Sequence, residues 1–396
     1  MKQDFLLQAK QLQKTLSEHR RWLHAHAETG FELPQTKEYV RQQLTAMGYH
    51  PIPCGKCGLM AELSGGSGKT ILLRADMDAL PIREEAVVEF ASQNGNMHAC
   101  GHDLHTSMLL GAAQMLMNHR HEIQGTVRLM FQPAEEILSG AENMIRSGVL
   151  QNVDAAVMIH VSVATPLKTG TIIVAPSGVS APAASYFTIR VQGKGCHGAA
   201  PHKGVDALST AAHILIALQE IHARELPSVS GAVLTVGRFS GGAADNAIAD
   251  SAELHGTVRA FEDDTMQFLK ERIRDISRAI AEAFRAGVQV TFNRECPTLK
   301  NDETLCTMAY QQLGELLGQQ RVLSISTLDR GGAGGSEDFA YISQQVPSVM
   351  LSLAAGQPDH GYCYPLHHPK VIFDEDALPV GAAALAGLAI RFLSNA

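Results

Sequence analysis

The stretch TILLRADMD, residues 70–78, joins a short apolar run to two aspartates. An apolar run of this length suits a buried strand, because strands covered on both faces read as nearly continuous apolar sequence. Three similar runs follow along the chain: TVRLMF (126–131), AAVMI (155–159) and SVMLSLA (348–354). Between them lie helical patterns, most clearly from Leu104 to Leu116. This alternation predicts an α/β fold with a mixed, largely parallel sheet flanked by helices.

The middle third of the chain has a different order of elements. From about residue 184 to 294 the patterns read strand, helix, strand, strand, helix, strand, which is the ferredoxin-like α+β arrangement. The pattern of the larger domain then returns, so we predict that the smaller domain is inserted into it. The predicted parts are residues 1–181 and 296–396 for the larger domain and residues 182–295 for the inserted domain.

Composition and charge exclude several classes of partner. The 396 residues carry a formal net charge of -8 and none of the 32 basic residues forms a long run, so no nucleic acid partner is expected. The apolar stretch at 377–393 contains Arg391 and mostly small residues, which predicts a buried helix and no membrane span. The N-terminal residues lack the apolar core of a signal peptide, which favours a cytoplasmic location.

The cysteines also favour a reducing compartment. There are seven, an odd and scattered set that does not form a disulfide framework. Cys54 and Cys57 form a CxxC pair, but a zinc ribbon needs a second pair and none follows at a suitable distance. A turn with two free thiols is the simpler interpretation of this pair.

Polar residues follow the predicted strands at the point where each strand ends. Asp76 and Asp78 come after the first run, Glu135 and Glu136 after the second, and His160 after the third. In open α/β sheets ligands bind beyond the carboxyl ends of the strands, so these side chains should converge. One glutamate could bind a metal while the other takes a proton from water, although a solvated helix start would also explain the pair. Asp78 could orient a metal-binding histidine or cap a helix.

The segment HACGHDLHTS (98–107) concentrates three histidines, a cysteine and an aspartate. Cys100 and His102 lie two residues apart, so they face the same side only from an extended segment or loop. We predict such a segment, with Asp103 as the N-cap of the following helix. Thiolate, imidazole and carboxylate ligands suit zinc or a similar ion, although Cys100 could instead be a nucleophile with His102 or His105 as its base.

Other polar residues have less specific signals. His367 and His368 follow the fourth apolar run, and one of them could complete a metal site. His197, in GCHGAAPH, has no potential metal ligands beside it in sequence; it is either structural or polarises a substrate carbonyl. The GGAGG stretch (331–335) predicts a pliable loop or a plain linker, and the following SED (336–338) is typical of a helix cap and first turn.

Together these motifs resemble those of the dinuclear-metal amidohydrolases, a family that includes hippurate hydrolase, N-acyl-amino-acid amidohydrolases and plant auxin-conjugate hydrolases. Aminoacylase and carboxypeptidase G are more distant relatives of that family. The motifs span nearly the whole chain in family order: RADMDALP (74–81), HACGHDLH (98–105), FQPAEE (131–136), GCHGAAPHKGVDA (195–207), DNAIADSAELHGTVRAF (245–261), GGSEDFA (334–340) and LHHP (366–369).

The resemblance implies a catalytic domain that holds two divalent metal ions per subunit. Zinc or manganese is expected, and cobalt or nickel is compatible with the same ligands. The implied metal ligands are Cys100 as the bridge, His102 and His160 at one ion, and Glu136 and His367 at the other. The implied substrate contacts are His197, Asn246 and Arg259. The inserted domain would be a lid that also forms a homodimer or higher homo-oligomer.

The implied reaction is hydrolysis of the amide bond of a small N-acyl amino acid, such as a hippurate-like or N-acetyl compound. A metal-activated water would attack, with Glu135 as the general base and then the acid. The alternatives within the family are an exopeptidase and an N-acetyl-diaminopimelate deacetylase. From other classes, a thiol-dependent hydrolase that uses Cys100 and a noncatalytic scaffold remain to be distinguished.

Overall fold

The computed structural model describes residues 4–325 and 335–394. Contacts divide these residues into two compact units. The larger unit comprises residues 4–180, 300–325 and 337–394, and the smaller unit comprises residues 181–299 and 335–336. Four of the five residues of the GGAGG stretch lie outside the described residues, so the loop predicted there remains a prediction.

The elements are numbered in chain order. The strands are β1 (Ile52–Cys54), β2 (Gly58–Ser64), β3 (Thr70–Asp76), β4 (Thr126–Gln132), β5 (Ala155–Ser162), β6 (Ile172–Val174), β7 (Gly178–Ala181), β8 (Ala183–Gln192), β9 (Cys196–His197), β10 (Val233–Gly241), β11 (Ala247–Ile248), β12 (Ser251–Ala260), β13 (Gly287–Cys296), β14 (Leu299–Asn301), β15 (Val322–Leu323) and β16 (Ser348–Ala354). The helices are α1 (Phe5–Gln11), α2 (Gln13–Ala25), α3 (Pro34–Ala46), α4 (His102–Asn118), α5 (Gly140–Arg146), α6 (Ala207–Glu220), α7 (Asp263–Ala283), α8 (Glu303–Leu317), α9 (Ala340–Ser343) and α10 (Ala377–Ser394).

The larger unit is built on a mixed sheet with the strand order β1-β2-β4-β3-β5-β16-β6-β15. Strand β3 pairs in parallel with β4 and β5, and β5 pairs in parallel with β16. All four of these strands are apolar runs predicted from the sequence to be buried, and Leu72, Leu129, Val157 and Leu351 within them are fully buried. The predicted α/β fold with a largely parallel sheet is confirmed.

Helix α10 is long and apolar enough to cross a membrane by length and composition alone. Most of it is buried inside the larger unit, where it contacts α1, α4 and α8. The prediction of a buried helix at this place is confirmed.

The smaller unit contains an antiparallel sheet with the order β10-β12-β8-β13. Its chain order β8, α6, β10, β12, α7, β13 is the predicted ferredoxin-like one. In β8 the residues Phe187, Ile189 and Val191 are buried and alternate with more exposed ones, as expected for a strand with one covered face. The buried residues pack with α6 and α7 in a core of their own.

Candidate metal centre

The carboxyl ends of β3, β4 and β5 lie at one edge of the larger sheet, because these three strands are parallel. Asp76 ends β3, so Asp78 lies in the loop directly after it. Gln132 ends β4, and the loop after it carries Glu135. His160 lies inside β5, two residues before the strand ends, and not after the strand as predicted. Parallel pairing therefore brings the side chains of three sequence segments to one edge.

The segment that carries Cys100 and His102 is a tight turn, not an extended strand. Gly101 adopts a left-handed conformation with φ 86°, and α4 begins at His102. A Cβ atom at Gly101 would lie 2.4 Å from Val161 Cγ2. Glycine is therefore required here both by the backbone conformation and by close packing. The turn directs the side chains of Cys100 and His102 to the same place.

Asp103 is not the N-cap that the sequence predicts, because Gly101 holds that position. The Asp103 carboxylate is buried and accepts a hydrogen bond from Arg20 Nε at 3.1 Å. Its Oδ2 atom also lies 2.9 Å from His24 Nδ1. Asp103 thus ties the start of α4 to α2.

Replacing Gly101 with alanine is expected to lower both the free energy of unfolding and the affinity for metal. A left-handed backbone costs a residue with a Cβ about 1–2 kcal/mol, and the new methyl group would also collide with Val161. Gly95 is a matched control, because its φ is 87° and no described heavy atom lies within 4 Å of its Cβ position. Calorimetry and zinc titration of both variants test this; equal losses in Gly95→Ala and Gly101→Ala would show that the close packing is irrelevant.

The donor atoms of the five expected metal ligands lie close together. Cys100 Sγ lies 3.6 Å from His160 Nε2 and 3.3 Å from His367 Nε2. The Glu136 carboxylate lies 3.8 Å from His102 Nε2 and 3.7 Å from His367 Nε2. Two groups of ligand atoms share Cys100: one adds His102 and His160, and the other adds Glu136 and His367. These are the two ligand sets that the resemblance implies.

Hydrogen bonds fix the orientation of two imidazole rings. His102 Nδ1 lies 2.8 Å from the carbonyl oxygen of Asp78, and His160 Nδ1 lies 2.7 Å from that of Val161. A carbonyl oxygen can only accept, so each Nδ1 carries the proton and each Nε2 presents a lone pair to the cluster. The main-chain carbonyl of Asp78 makes this contact, and the Asp78 carboxylate lies farther from His102 Nδ1, at 3.5 Å.

The residues fit a bound cation. Both His102 Nε2 and Glu136 Oε1 are buried and have no hydrogen-bond partner among the described residues. Buried polar atoms are normally satisfied, so two buried atoms without a partner that face each other across 3.8 Å fit a site for a cation. Thiolate, imidazole and carboxylate together are a ligand set for zinc and related ions.

The electrostatics of the cluster lead to the same conclusion. Burial raises the pKa of Cys100 well above its usual value, and Glu136 raises it further. Burial also raises the pKa of the Glu136 carboxyl to about 7. Burial lowers the pKa of His160 to about 3, which keeps this imidazole neutral. Anions that are disfavoured by burial and by one another are stabilised by a divalent cation, and a neutral imidazole is the form that binds one.

The other histidines nearby have different roles. His368 stacks on Tyr364 at 4.3 Å between ring centroids, so His367 is the residue of this pair that faces the cluster. In His105, Nε2 accepts from the Val161 N–H at 2.9 Å and Nδ1 donates to Asp76 Oδ1 at 2.6 Å. Both ring nitrogens of His105 are thus engaged within the protein.

Sequence reasoning assigned no role to a buried arginine beside this cluster. Arg74 is only 1% exposed, and its guanidinium contacts Asp76, Glu337 and Asp338. The SED segment (336–338) does not form the predicted helix cap and first turn, because helix α9 begins only at Ala340. An arginine inside an otherwise apolar strand was the available signal, because a buried guanidinium needs anionic partners.

The three expected substrate contacts lie in the smaller unit. His197 lies in β9, and its neighbour Gly198 donates a main-chain hydrogen bond of 2.7 Å to Asn246, directly before β11. His197 is exposed, and its Nδ1 accepts from the Ala199 N–H, so the proton of the neutral ring is on Nε2. Arg259 lies in β12 and donates to Ser336 Oγ at 2.8 Å. The pairing of β9 with β11 thus brings His197 and Asn246 close together.

Comparisons with known proteins agree with this chemistry. Residues 72–391 match the family model of peptidase family M20/M25/M40. The chain is 37% identical to an IAA-amino acid hydrolase, ILR1-like 2 of Arabidopsis thaliana, over 95% of this chain and 84% of that protein. It is 34% identical to N-acetylcysteine deacetylase of Bacillus subtilis, over 95% of this chain and 96% of that protein.

A solved structure of a metal-binding protein has the same fold. The YXEP protein of Bacillus subtilis, a dinuclear metal-binding peptidase of the M20 family, superimposes with a TM-score of 0.80. The match has 32% identity and covers 98% of this chain and all of that chain. The fold, the cluster of ligand atoms and these similarities agree, and the chain belongs to peptidase family M20/M25/M40 as a metal-dependent amidohydrolase.

Proposed function

We propose that this protein hydrolyses the amide bond of small N-acyl amino acids to a carboxylic acid and a free amino acid. The position of Glu135 carries the proposal. Its Oε2 atom lies 3.9 Å from His102 Nε2, and Glu135 belongs to neither of the two ligand groups that share Cys100, although it forms a further group with His102 and Glu136. A carboxylate beside the metal ligands, and outside those groups, is free to move protons. The names of two relatives, a deacetylase of N-acetylcysteine and an IAA-amino acid hydrolase, support this substrate class.

The proposed ligands of two divalent ions are Cys100, His102, Glu136, His160 and His367. When bound, the ions polarise the substrate carbonyl and lower the pKa of water. The thiolate favours zinc, and manganese, cobalt or nickel also accept this mixed set of ligands. The protein's own contribution is a set of ligand atoms that hydrogen bonds and packing hold close together before any ion binds.

Glu135 is proposed to take the proton of the attacking water and to give it to the leaving nitrogen. Burial raises the pKa of Glu135 well above its usual value, and nearby Glu337 raises it further. A raised pKa suits a group that must hold a proton between two steps near neutral pH. The Asp78 carboxylate accepts from the N–H groups of Glu135 and Glu136 at 3.0 and 3.2 Å, and so holds both glutamates in one loop.

His197, Asn246 and Arg259 are proposed to bind the substrate. His197 has its proton on Nε2, so it can donate a hydrogen bond to the amide carbonyl and stabilise the negative charge that develops there. The Arg259 guanidinium has the charge and geometry to bind a carboxylate, which every N-acyl amino acid carries. The histidine acts in its own subunit or in that of a partner.

A thiol-dependent reaction is not supported. A reactive cysteine needs a lowered pKa, because the thiolate is the nucleophile. In this protein burial and Glu136 raise the pKa of Cys100 well above its usual value. Cys100 is therefore proposed as a metal ligand only.

The proposal extends to location and assembly. The seven cysteines are all free in the described part of the chain, and a thiolate that would hold a metal requires a reduced thiol, so we propose a cytoplasmic location. We also propose a homo-oligomer that forms through the smaller unit. Metal removal and active-site variants should leave that assembly unchanged.

A substrate panel tests the proposed reaction directly. N-acetyl, N-benzoyl and longer N-acyl amino acids, dipeptides and N-acetyl-diaminopimelate should be assayed with zinc, manganese, cobalt and nickel. We expect release of free amino acid from N-acyl amino acids, with no turnover when the substrate carboxylate is replaced by an amide. Preferential cleavage of dipeptides or of N-acetyl-diaminopimelate would replace this proposal with the corresponding alternative.

A further inference from the structure

A buried polar cluster of four side chains, Arg74, Asp76, Glu337 and Asp338, lies directly beside Glu135. Arg74 is its centre. The guanidinium donates from Nη1 to Asp76 Oδ2 at 2.7 Å and from Nη2 to Glu337 Oε1 at 2.9 Å and Asp338 Oδ1 at 2.8 Å. Asp76, Asp338 and Arg74 are almost completely buried. One guanidinium is thus shared by three carboxylates in a place where an unpaired charge would be costly, and burial raises the pKa of the Asp338 carboxyl to about 7.

Asp338 joins the two ends of the loop that carries Glu135. Gln132, the last residue of β4, donates from Nε2 to Asp338 Oδ1 at 2.7 Å and to Oδ2 at 2.9 Å. Ala141, in the first turn of α5, donates its main-chain N–H to Asp338 Oδ2 at 2.9 Å. Both carboxylate oxygens of Asp338 accept hydrogen bonds, so a side chain with a single acceptor oxygen could not make all of these contacts.

The loop between these two ends is strained. Ala134 and Leu138 have left-handed backbones, with φ of 59° and 53°. A Cβ atom at Gly140 would lie 1.7 Å from the carbonyl oxygen of Pro133. Each left-handed residue with a side chain costs about 1 kcal/mol or more. The loop therefore needs external hydrogen bonds to keep this shape.

The Asp338 main chain also contacts Glu135 itself. The N–H of Asp338 donates to Glu135 Oε1 at 3.4 Å. The other oxygen, Oε2, lies on the side of His102 Nε2. One oxygen of the proposed base is thus tethered, and the other is directed to the ligand cluster.

We propose that Asp338, held by its contact with Arg74, is a positioning residue that keeps Glu135 and its loop in the geometry needed for proton transfer. This inference rests on the role proposed for Glu135. Asp338 acts only through the loop and the Glu135 carboxylate, and binds neither metal nor substrate.

The variant Asp338→Asn tests the proposal. Its amide NH2 group is a donor and cannot accept, so it cannot keep the hydrogen bonds that both Asp338 oxygens accept from Gln132 and Ala141. Displacement of a catalytic group by about 1 Å can cost about 100-fold in rate. We expect kcat to fall by about 10- to 100-fold on that basis, with KM nearly unchanged. The metal content and the absorption spectrum of the cobalt-loaded enzyme should stay as in the wild type. A rise in KM with unchanged kcat, or loss of cobalt binding, would overturn the proposal.

A double-mutant cycle separates this inference from the proposed function. If Asp338 acts through Glu135, Asp338→Asn should not reduce the residual turnover of Glu135→Gln any further, because the two changes remove one contribution. An equal fold-loss in both backgrounds contradicts positioning but leaves Glu135 as the base. Near-normal activity of Glu135→Gln alone contradicts the proposed function instead.

A second variant covers the case in which Asp338→Asn does not fold. Gln132→Met keeps the side-chain length but removes both hydrogen bonds from Gln132 to Asp338 and the one that Gln132 Oε1 accepts from Arg74 Nε at 2.9 Å, so a kcat loss in the same direction is expected. Asp302→Asn is the matched control, because Asp302 caps α8 through the Leu305 N–H and lies outside the cluster. Unchanged kcat in Gln132→Met, or an equal loss in Asp302→Asn, would contradict the inference.

Discussion

Glu135→Gln is expected to lower kcat by about 100- to 10,000-fold, the range that general acid–base catalysis contributes. Glutamine has nearly the same shape, so Asp78 can still accept from the loop N–H groups and the five ligand atoms stay in place. An amide cannot take a proton from water or give one to the leaving nitrogen. Two metal equivalents should therefore remain bound while turnover of an N-acyl amino acid is lost.

The measurement combines steady-state kinetics with elemental analysis of the purified variant. Glu142→Gln is a suitable control, because Glu142 lies on nearby α5 and pairs with Arg146 at the surface. This control should keep wild-type kcat. If Glu135→Gln kept near-normal kcat, another group would have to move the protons.

Removal of the metal ions is expected to abolish activity, and adding zinc, manganese or cobalt should restore it. Without a cation the Glu136 carboxyl has a pKa of about 7, and the pKa of Cys100 is above its usual value. Both ligands hold protons in the apoprotein near neutral pH, so metal binding must release protons. The affinity for metal should therefore fall as the pH is lowered through about 7.

Chelation followed by titration at several pH values measures both effects, with calorimetry to record the protons released. A thiol-dependent hydrolase would keep its activity after chelation and lose it after alkylation of Cys100. Activity that survives in metal-free protein would thus contradict the assigned roles of all five ligands. Alkylation of the holoprotein should be slow, because Cys100 is buried.

Much of the fold follows from local patterns in the sequence. The apolar runs predict β3, β4 and β16 to within one residue, and they predict the start of β5, because strands buried on both faces need continuous apolar sequence. The parallel order of the strands then predicts which loops meet, and Asp78 and Glu135 lie in those loops. The ferredoxin-like order of the smaller unit was predicted from the order of its strand and helix patterns.

The polar contacts between distant segments were not predictable in this way. Asp103 has the spacing of an N-cap, but Arg20 and His24 bind its carboxylate after the chain has folded. Arg74 and Asp338 are 264 residues apart, and no local spacing pairs them. The turn at Gly101 depends on the nearby side chain of Val161, which is also distant in sequence. Local patterns predict elements, whereas these contacts form only between completed elements.

The position of β16 in the large sheet has a consequence for biosynthesis. β16 lies between β5 and β6, although it is formed by residues 348–354, after the whole of the smaller unit has been translated. Until those residues leave the ribosome, the backbone N–H and C=O groups along one edge of the apolar strand β5 lack the partner strand that they have in the folded protein. The unpaired edge of an apolar strand can pair with a strand of another chain. The inserted residues therefore lengthen the period in which the nascent protein can aggregate. During that period the strands of the smaller unit can already pair with one another.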